Sequence, residues 1–229
     1  MRIIIHISIL VIFFASISFT QDKETEDKTY LSSVINIKPK SGAAKLRLKI
    51  YRYYNKYDGS KSDYGDIFKI KIYKASKGKL IQTLDENDFE LAVQFDIGDY
   101  NFDGYKDIYL KDRCAISDNC TGHVFLYKPS TGKYKLAKEF DDLITIRVSK
   151  TKKRIYSLNR SQAGASWQFD VYKYINNKLT LIVSESQGTG EPGEGKFYYS
   201  KEIRKKNGKM KTVISKTLTE PRFEPDVPR

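Results

Sequence analysis

Three aspartates and an asparagine recur at regular intervals in "DYNFDGYKD", residues 99–107, directly before the apolar run "IYL". Asp99, Asn101, Asp103 and Asp107 put side-chain oxygens at positions 1, 3, 5 and 9 of a loop, and Tyr105 offers a backbone carbonyl at position 7. Oxygen donors at this spacing suit a hard cation, and Gly104 permits the sharp turn that wraps the backbone around it. Calcium fits better than magnesium, because a flexible loop of mixed oxygens tolerates its larger and looser shell. Position 12 is Leu110 rather than a bidentate glutamate, and "IYLKD" reads as a strand, so the loop is not an EF-hand. The plain alternative is a polar turn held by Asx hydrogen bonds without metal. An acidic run just upstream, "DENDFELAVQFD" at 85–96, would raise cation affinity locally in an otherwise basic chain.

The elements that must position this loop are strands. From about residue 43 to 215 the chain is a succession of short alternating segments rich in β-branched and aromatic residues, among them "KLRLKIYRYY", "IFKIKIYK", "HVFLYK", "LITIRVS", "WQFDVYKY" and "KLTLIVS". No window carries a helical stripe of useful length. A weak repeat runs through "IYKASKGKLIQTL" (72–84), "LYKPSTGKYKLAKEF" (126–140), "VYKYINNKLTLIV" (171–183) and, more distantly, "EIRKKNGKMKTVI" (202–214). The shared plan is a strand ending in Tyr-Lys, a turn built on Gly or Asn, then Lys and an apolar strand, and each copy reads as a β-hairpin. The expected fold is all-β: a β-propeller-like array of antiparallel hairpins, with a β-sandwich as the alternative.

The expected layout has a secretory leader at 1–20, where Arg2 precedes an apolar run from Ile3 to about Ile17 and small residues follow. Segment 21–42 then reads as a polar linker and first strand, 43–215 as the all-β calcium-binding domain, and 216–229, with three prolines, as an extended tail. A retained short membrane anchor is the other reading of the N-terminus, since residues 3–19 are close to the lower limit for crossing a bilayer. No cysteine lies near the cleavage region, so lipidation there is excluded. The expected location is periplasmic or extracellular, and no membrane contact is expected of the mature chain. Cys114 and Cys120, in "CAISDNC", are expected to close a disulfide in an oxidising compartment. A zinc site is the rival, and it would have to recruit His123, the one histidine downstream of the leader.

Lys and Arg outnumber Asp and Glu by 41 to 28, a net charge of +13. Anionic partners are one reading of that excess. Lysines solvating the outward faces of strands is the blander one, and the alternation in "FKIKIYK" favours it. Nucleic acid is not an expected partner of an exported chain. Catalysis finds little support: a nucleophile–histidine arrangement would rest on His123 alone, and the clustered carboxylates are claimed by the candidate metal loop. The chain is read as no enzyme.

The phrase D-x-N-x-D-G-x-x-D entering an apolar strand resembles the calcium loop of FG-GAP and integrin-alpha β-propeller repeats. On a larger scale, "DIGDYNFDGYKDIYL", then "LYKPSTGKY", then "LNRSQAGASWQFDVYKYINNKLTLI" is similar to a family of exported bacterial calcium-loop proteins, over about residues 70–185. That resemblance implies a calcium-bound β-propeller, and for some members an immunity protein that inhibits peptidoglycan-cleaving, lysozyme-like effectors. The absent lipobox, the basic charge and the cysteine loop depart from the family pattern. "NRSQAGASW", 159–167, is a slim small-residue loop flanked by an arginine and an aromatic, the residue types that anchor interfaces. Arg160, Ser161, Gly164, Ser166 and Trp167 are therefore candidates for contact with a protein partner. A tight inter-strand connection with Trp167 in the core is the alternative. The functional expectation is an exported calcium-stabilised binding protein inhibiting a peptidoglycan hydrolase; the alternative is a cell-surface or anionic-glycan binding module. A target that is neutral or acidic suits the positive charge better than a basic one.

Overall fold

The computed structural model describes residues 29–54, 66–89, 92–112, 114–115, 117–191, 194–223 and 225. The leader expected at 1–20 and residues 21–28 lie outside them. The first sheet is a meander of β1 (Thr29–Ile37), β2 (Leu46–Tyr53), β3 (Ile67–Lys74) and β4 (Lys79–Asp85). The second contains β5 (Gln94–Gly98), β6 (Asp107–Lys111), β7 (Gly122–Lys128) and β8 (Lys133–Leu136). The third has six strands: β9 (Arg147–Ser149), β10 (Arg154–Ser161), β11 (Ser166–Ile175), β12 (Lys178–Thr189), β13 (Phe197–Arg204) and β14 (Met210–Leu218). Every sheet runs in chain order and every pairing is antiparallel.

Alternation explains the first sheet. In β2, Leu46, Leu48 and Ile50 are buried while Arg47 points to solvent, and in β3 Ile70 and Ile72 are buried opposite them, in the register Leu48↔Ile72 and Ile50↔Ile70. The intervening lysines lie across tyrosines on the outward face: the Lys49 ammonium is 5.3 Å from the Tyr73 ring centre and that of Lys71 is 5.4 Å from Tyr51. Here the lysines do solvate a strand face, as alternation suggests.

The second sheet is the middle layer, and this accounts for the unbroken burial of Asp107, Ile108, Tyr109 and Leu110 in β6. Ile108, Leu110, Phe125 and Tyr127 pack with the first sheet's Leu48, Ile50, Ile70 and Ile72. On the opposite face Tyr109, Val124 and Leu126 pack with Phe140, Leu143 and the third sheet's Ile155. Burying each such side chain contributes about 1.5–3 kcal/mol, so these two cores carry most of the apolar drive. Close packing also fixes Gly122, where a Cβ would stand 2.3 Å from the Leu110 carbonyl oxygen and 2.6 Å from the Tyr109 ring.

The chain is thus all-β, an array of antiparallel hairpins as the sequence suggests. The described strands close into neither a barrel nor a propeller, and their stacking is consistent with the sandwich alternative. All four repeat copies are hairpins, β3–β4, β7–β8, β11–β12 and β13–β14. Asn176 and Asn177, both at positive φ, make the tight turn of the third. One expected strand is mostly absent: of "LITIRVS" only Arg147–Ser149 is a strand. Thr145 has φ +50°, and Ile144 instead exchanges hydrogen bonds with the Ser157 hydroxyl, donating its N–H and accepting through its carbonyl. At the C-terminus β14 continues to Leu218, past the expected boundary at 215, and Arg222 is held against the third sheet.

Candidate functional site

The acidic loop joins β5 to β6 and is closed at its base by the pair Gly98↔Asp107. Asp107 is fully buried, and its two carboxylate oxygens accept the backbone N–H groups of Tyr100 (2.8 Å) and Tyr127 (2.9 Å). Burial pushes its pKa up to about 7 against the pull of those two N–H donors, and the Asp103 and Asp99 carboxylates push in the same direction as burial. Around the turn, Gly104 N–H donates to Asp99 Oδ2 (2.9 Å), Tyr105 N–H to Asp103 Oδ1 (2.8 Å) and Asp103 N–H to Asn101 Oδ1 (3.2 Å). Gly104 adopts φ +85°, the left-handed conformation the turn requires.

These bonds are those of an Asx turn, and they leave one atom over: Asp99 Oδ1 is buried without a hydrogen-bond partner. An orphaned buried carboxylate oxygen is costly unless a cation or a donor meets it, so the residues fit a hard cation on this count. Among the described residues, Cys114, Asp118 and Cys120 are the one grouping in which three His, Cys, Asp or Glu ligand atoms lie within 4.8 Å of one another. The Asp99, Asp103 and Asp107 carboxylates are spread more widely. Lys40 is the neighbouring positive group, its ammonium 4.8 Å from the Tyr105 ring centre. Upstream, Asp85 and Asp88 spend their carboxylates on their own turn, accepting the N–H groups of Asn87 and Asp85.

The second candidate region lies at the tip of the β10–β11 hairpin. The register Arg160↔Trp167 and Ser161↔Ser166 carries both strands to the very end, where Gln162, Ala163 and Gly164 turn the chain at positive φ. Ser161 through Gly164 are all exposed. Beside the tip stands the loop closed by the Cys114–Cys120 disulfide. The zinc reading fails there because both sulfurs are in the disulfide, and His123 instead lies 3.6 Å from Asp141.

Asn119 joins the two. Its amide accepts the Arg160 N–H (2.9 Å) and donates to the Arg160 carbonyl (2.7 Å) and to Asn159 Oδ1 (2.9 Å). Thr145 supports the disulfide loop from behind, its hydroxyl accepting from Cys120 N–H and donating to the Asp118 carbonyl. An open cleft of about 790 Å³ lies between this loop, the tip and the chain end, lined by Asp118, Arg160, Gly164, Arg222 and Phe223 among others.

Trp167 takes the core position given above as the alternative and is no exposed anchor. It is 4% exposed and packs with Leu158, Phe169 and Tyr199, and its indole N–H donates to the Arg222 carbonyl. Alternation along β11 forces this, since Trp167 and Phe169 share a face. The aromatic at the cleft is instead Phe223, 96% exposed, held next to Arg222, whose guanidinium lies 4.3 Å from the Tyr199 ring centre. Asn119 and Phe223 escaped sequence reasoning. An isolated aromatic in the proline-rich "EPRFEP" was the available signal for Phe223, whereas nothing local marks Asn119, whose partners lie about 40 residues away.

No protein-family model matches the chain, and no curated protein matches it. Among solved structures, one described as the structure of a Xanthomonas type IV secretion system related protein is similar at 15% identity and a TM-score of 0.44, over 81% of this chain and 87% of its own.

Proposed function

We propose that the protein is an exported, calcium-stabilised inhibitor that presents the β10–β11 tip to the substrate cleft of a peptidoglycan-cleaving hydrolase. The observation that carries this reading is the clamped tip: a slim, exposed turn in which Ser161, Ala163 and Gly164 are small and Gln162 accepts the Ser166 and Thr189 hydroxyls, held by Asn119 on a disulfide-closed loop. Small side chains enter a cleft without bulk, and a tip already fixed by hydrogen bonds loses little freedom on binding. Arg160 and Phe223 border the tip and supply the residue types that anchor interfaces. A disulfide of this kind persists in an oxidising compartment, which favours export. No nucleophile–base pair is part of the reading, and the protein acts by occupying a site rather than by catalysis.

Asp99, Asn101, Asp103, Asp107 and the Tyr105 carbonyl would hold the calcium ion. The ion would supply charge compensation for three carboxylates and a partner for Asp99 Oδ1, ordering the turn that feeds β6.

The experiment is capture of exported proteins of the source organism on the immobilised protein. Recovery of a wall-cleaving enzyme in a stable stoichiometric complex is the expected result. Failure to recover one, with purified peptidoglycan or an anionic wall polymer bound instead, contradicts it.

A further inference from the structure

More than half of the chain's net charge sits in one hairpin. Residues 196–216, which contain nearly all of β13 and β14, carry eight Lys and Arg against the single acid Glu202, a net of +7 out of +13. Lys201 is paired with Glu185 at 2.6 Å, and Lys196 lies 3.9 Å from Glu194. Lys205, Lys206, Lys209 and Lys211 are exposed and meet no carboxylate among the described residues. β14 is the edge of the third sheet, and Lys211 through Thr217 are exposed without alternation, so neither face of this strand is covered.

Apolar side chains stand among these charges. Val213 is 42% exposed, Ile214 39% and Tyr198 49%. Val213 is the extra residue of a β-bulge, because Lys201 pairs with Ile214 while Glu202 pairs with Thr212. Lysines often guard an open sheet edge against aggregation, but a few along the strand suffice for that. Here three of the exposed lysines lie in and beside the turn, beyond the paired part of the edge. A second copy pairing along β14 would bring two such ribbons together against their charge. A soluble polyanion would satisfy the lysines and leave Val213 and Ile214 in water. A bilayer interface with anionic headgroups accommodates both.

We propose that the β13–β14 ribbon is a peripheral docking surface for an anionic phospholipid membrane, with its lysines on the headgroups and Val213 and Ile214 entering the interface. This differs from the sequence expectation of no membrane contact, and it uses the β13–β14 turn and edge rather than the β10–β11 tip of the inhibitor reading.

The test is co-sedimentation of the purified protein with vesicles of phosphatidylcholine alone, and of the same lipid with about one-third phosphatidylglycerol. The protein is expected to partition onto the anionic vesicles only, less so as salt is raised. The combined Lys206→Glu, Lys209→Glu and Lys211→Glu variant should bind at least about 100-fold more weakly. Glutamates guard an open edge as lysines do, so this variant should stay monomeric and melt with the wild type. A Lys→Gln version of the same triple serves if it does not. Val213→Ser with Ile214→Ser should weaken partition about tenfold. The protein is used in its exported form, without the leader expected at 1–20, so that the apolar run at 3–17 does not itself carry it onto neutral vesicles. Equal sedimentation with neutral and anionic vesicles, or partition unchanged in the charge-reversed triple, overturns the proposal. So does full binding by the double serine variant, or capture by soluble polyphosphate without capture by vesicles.

Discussion

Asn119 closes a hydrogen-bonded ring with the backbone of Arg160, accepting its N–H at 2.9 Å and donating to its carbonyl at 2.7 Å. A side-chain amide used in this way imitates a neighbouring strand. It extends the pairing of β10 on its β9 side, past Tyr156, the last residue paired there, and fixes the tip to the disulfide loop. Asn119→Ala removes three hydrogen bonds at once. The expected cost is about 1–3 kcal/mol, read from denaturant melts. Hydrogen exchange should accelerate at Arg160 through Ser166 while the middle sheet keeps its protection.

Reduction should act on the same place. The Cys114–Cys120 loop is short, so its contribution to global stability is about 2 kcal/mol on the chain-entropy estimate. Mass spectrometry after alkylation without reduction should find no labelled thiol. After reduction, exchange should rise first at Asn119 and the hairpin tip, because Asn119 depends on that loop for its position.

Calcium should stabilise the protein and chelation should undo this. Binding at about 100 times the dissociation constant is worth roughly 2.7 kcal/mol, which for a domain of this size is a melting shift of about 5–10 °C. Asp103→Ala should remove most of the shift without disturbing the core, since Asp103 is exposed whereas Asp107 is fully buried. Identical melts with calcium and with chelator would leave only the metal-free Asx turn.

Glu185 offers a pH test away from the loop. Burial alone would raise its pKa, but hydrogen bonds from Lys201 (2.6 Å) and Tyr199 (2.8 Å) and the Lys201 charge outweigh this and hold it below the ordinary value of 4.5. A carboxylate lowered in the folded state stabilises above its unfolded pKa and loses that contribution as pH falls through the folded one. Wild-type stability should therefore drop as pH falls below about 4.5, and Glu185→Gln should flatten that part of the profile.

Local order was legible wherever a strand has one wet face. The alternation in "LRLKIYRY" and "IFKIKIYK" gives β2 and β3 their faces as well as their bounds. Stacking was not legible, because the two-sided burial of β6 and β7 depends on which sheets meet. "LITIRVS" misled for a related reason: its alternation is that of a strand, yet Ile144 and Thr145 are claimed by Ser157 and by the disulfide loop. Trp167 could be placed at the end of a small-residue loop from sequence but not assigned to a face, and one residue of register turns an exposed anchor into a core side chain. The oxygen donors of 99–107 were readable from spacing. What spacing cannot convey is how many of those oxygens the amides of the loop and of Tyr127 in β7 already occupy.

The tip-insertion account is tested most directly by wall lysis with the captured hydrolase, comparing the wild type with Ser161→Trp. Ser161 is exposed in extended backbone (φ −144°), so a large side chain fits there without strain, unlike at Gly164 with its φ of +89°. The account predicts that wild type blocks lysis, that Ser161→Trp loses the block by at least about 100-fold, and that both proteins melt alike. Undiminished inhibition by Ser161→Trp would contradict it.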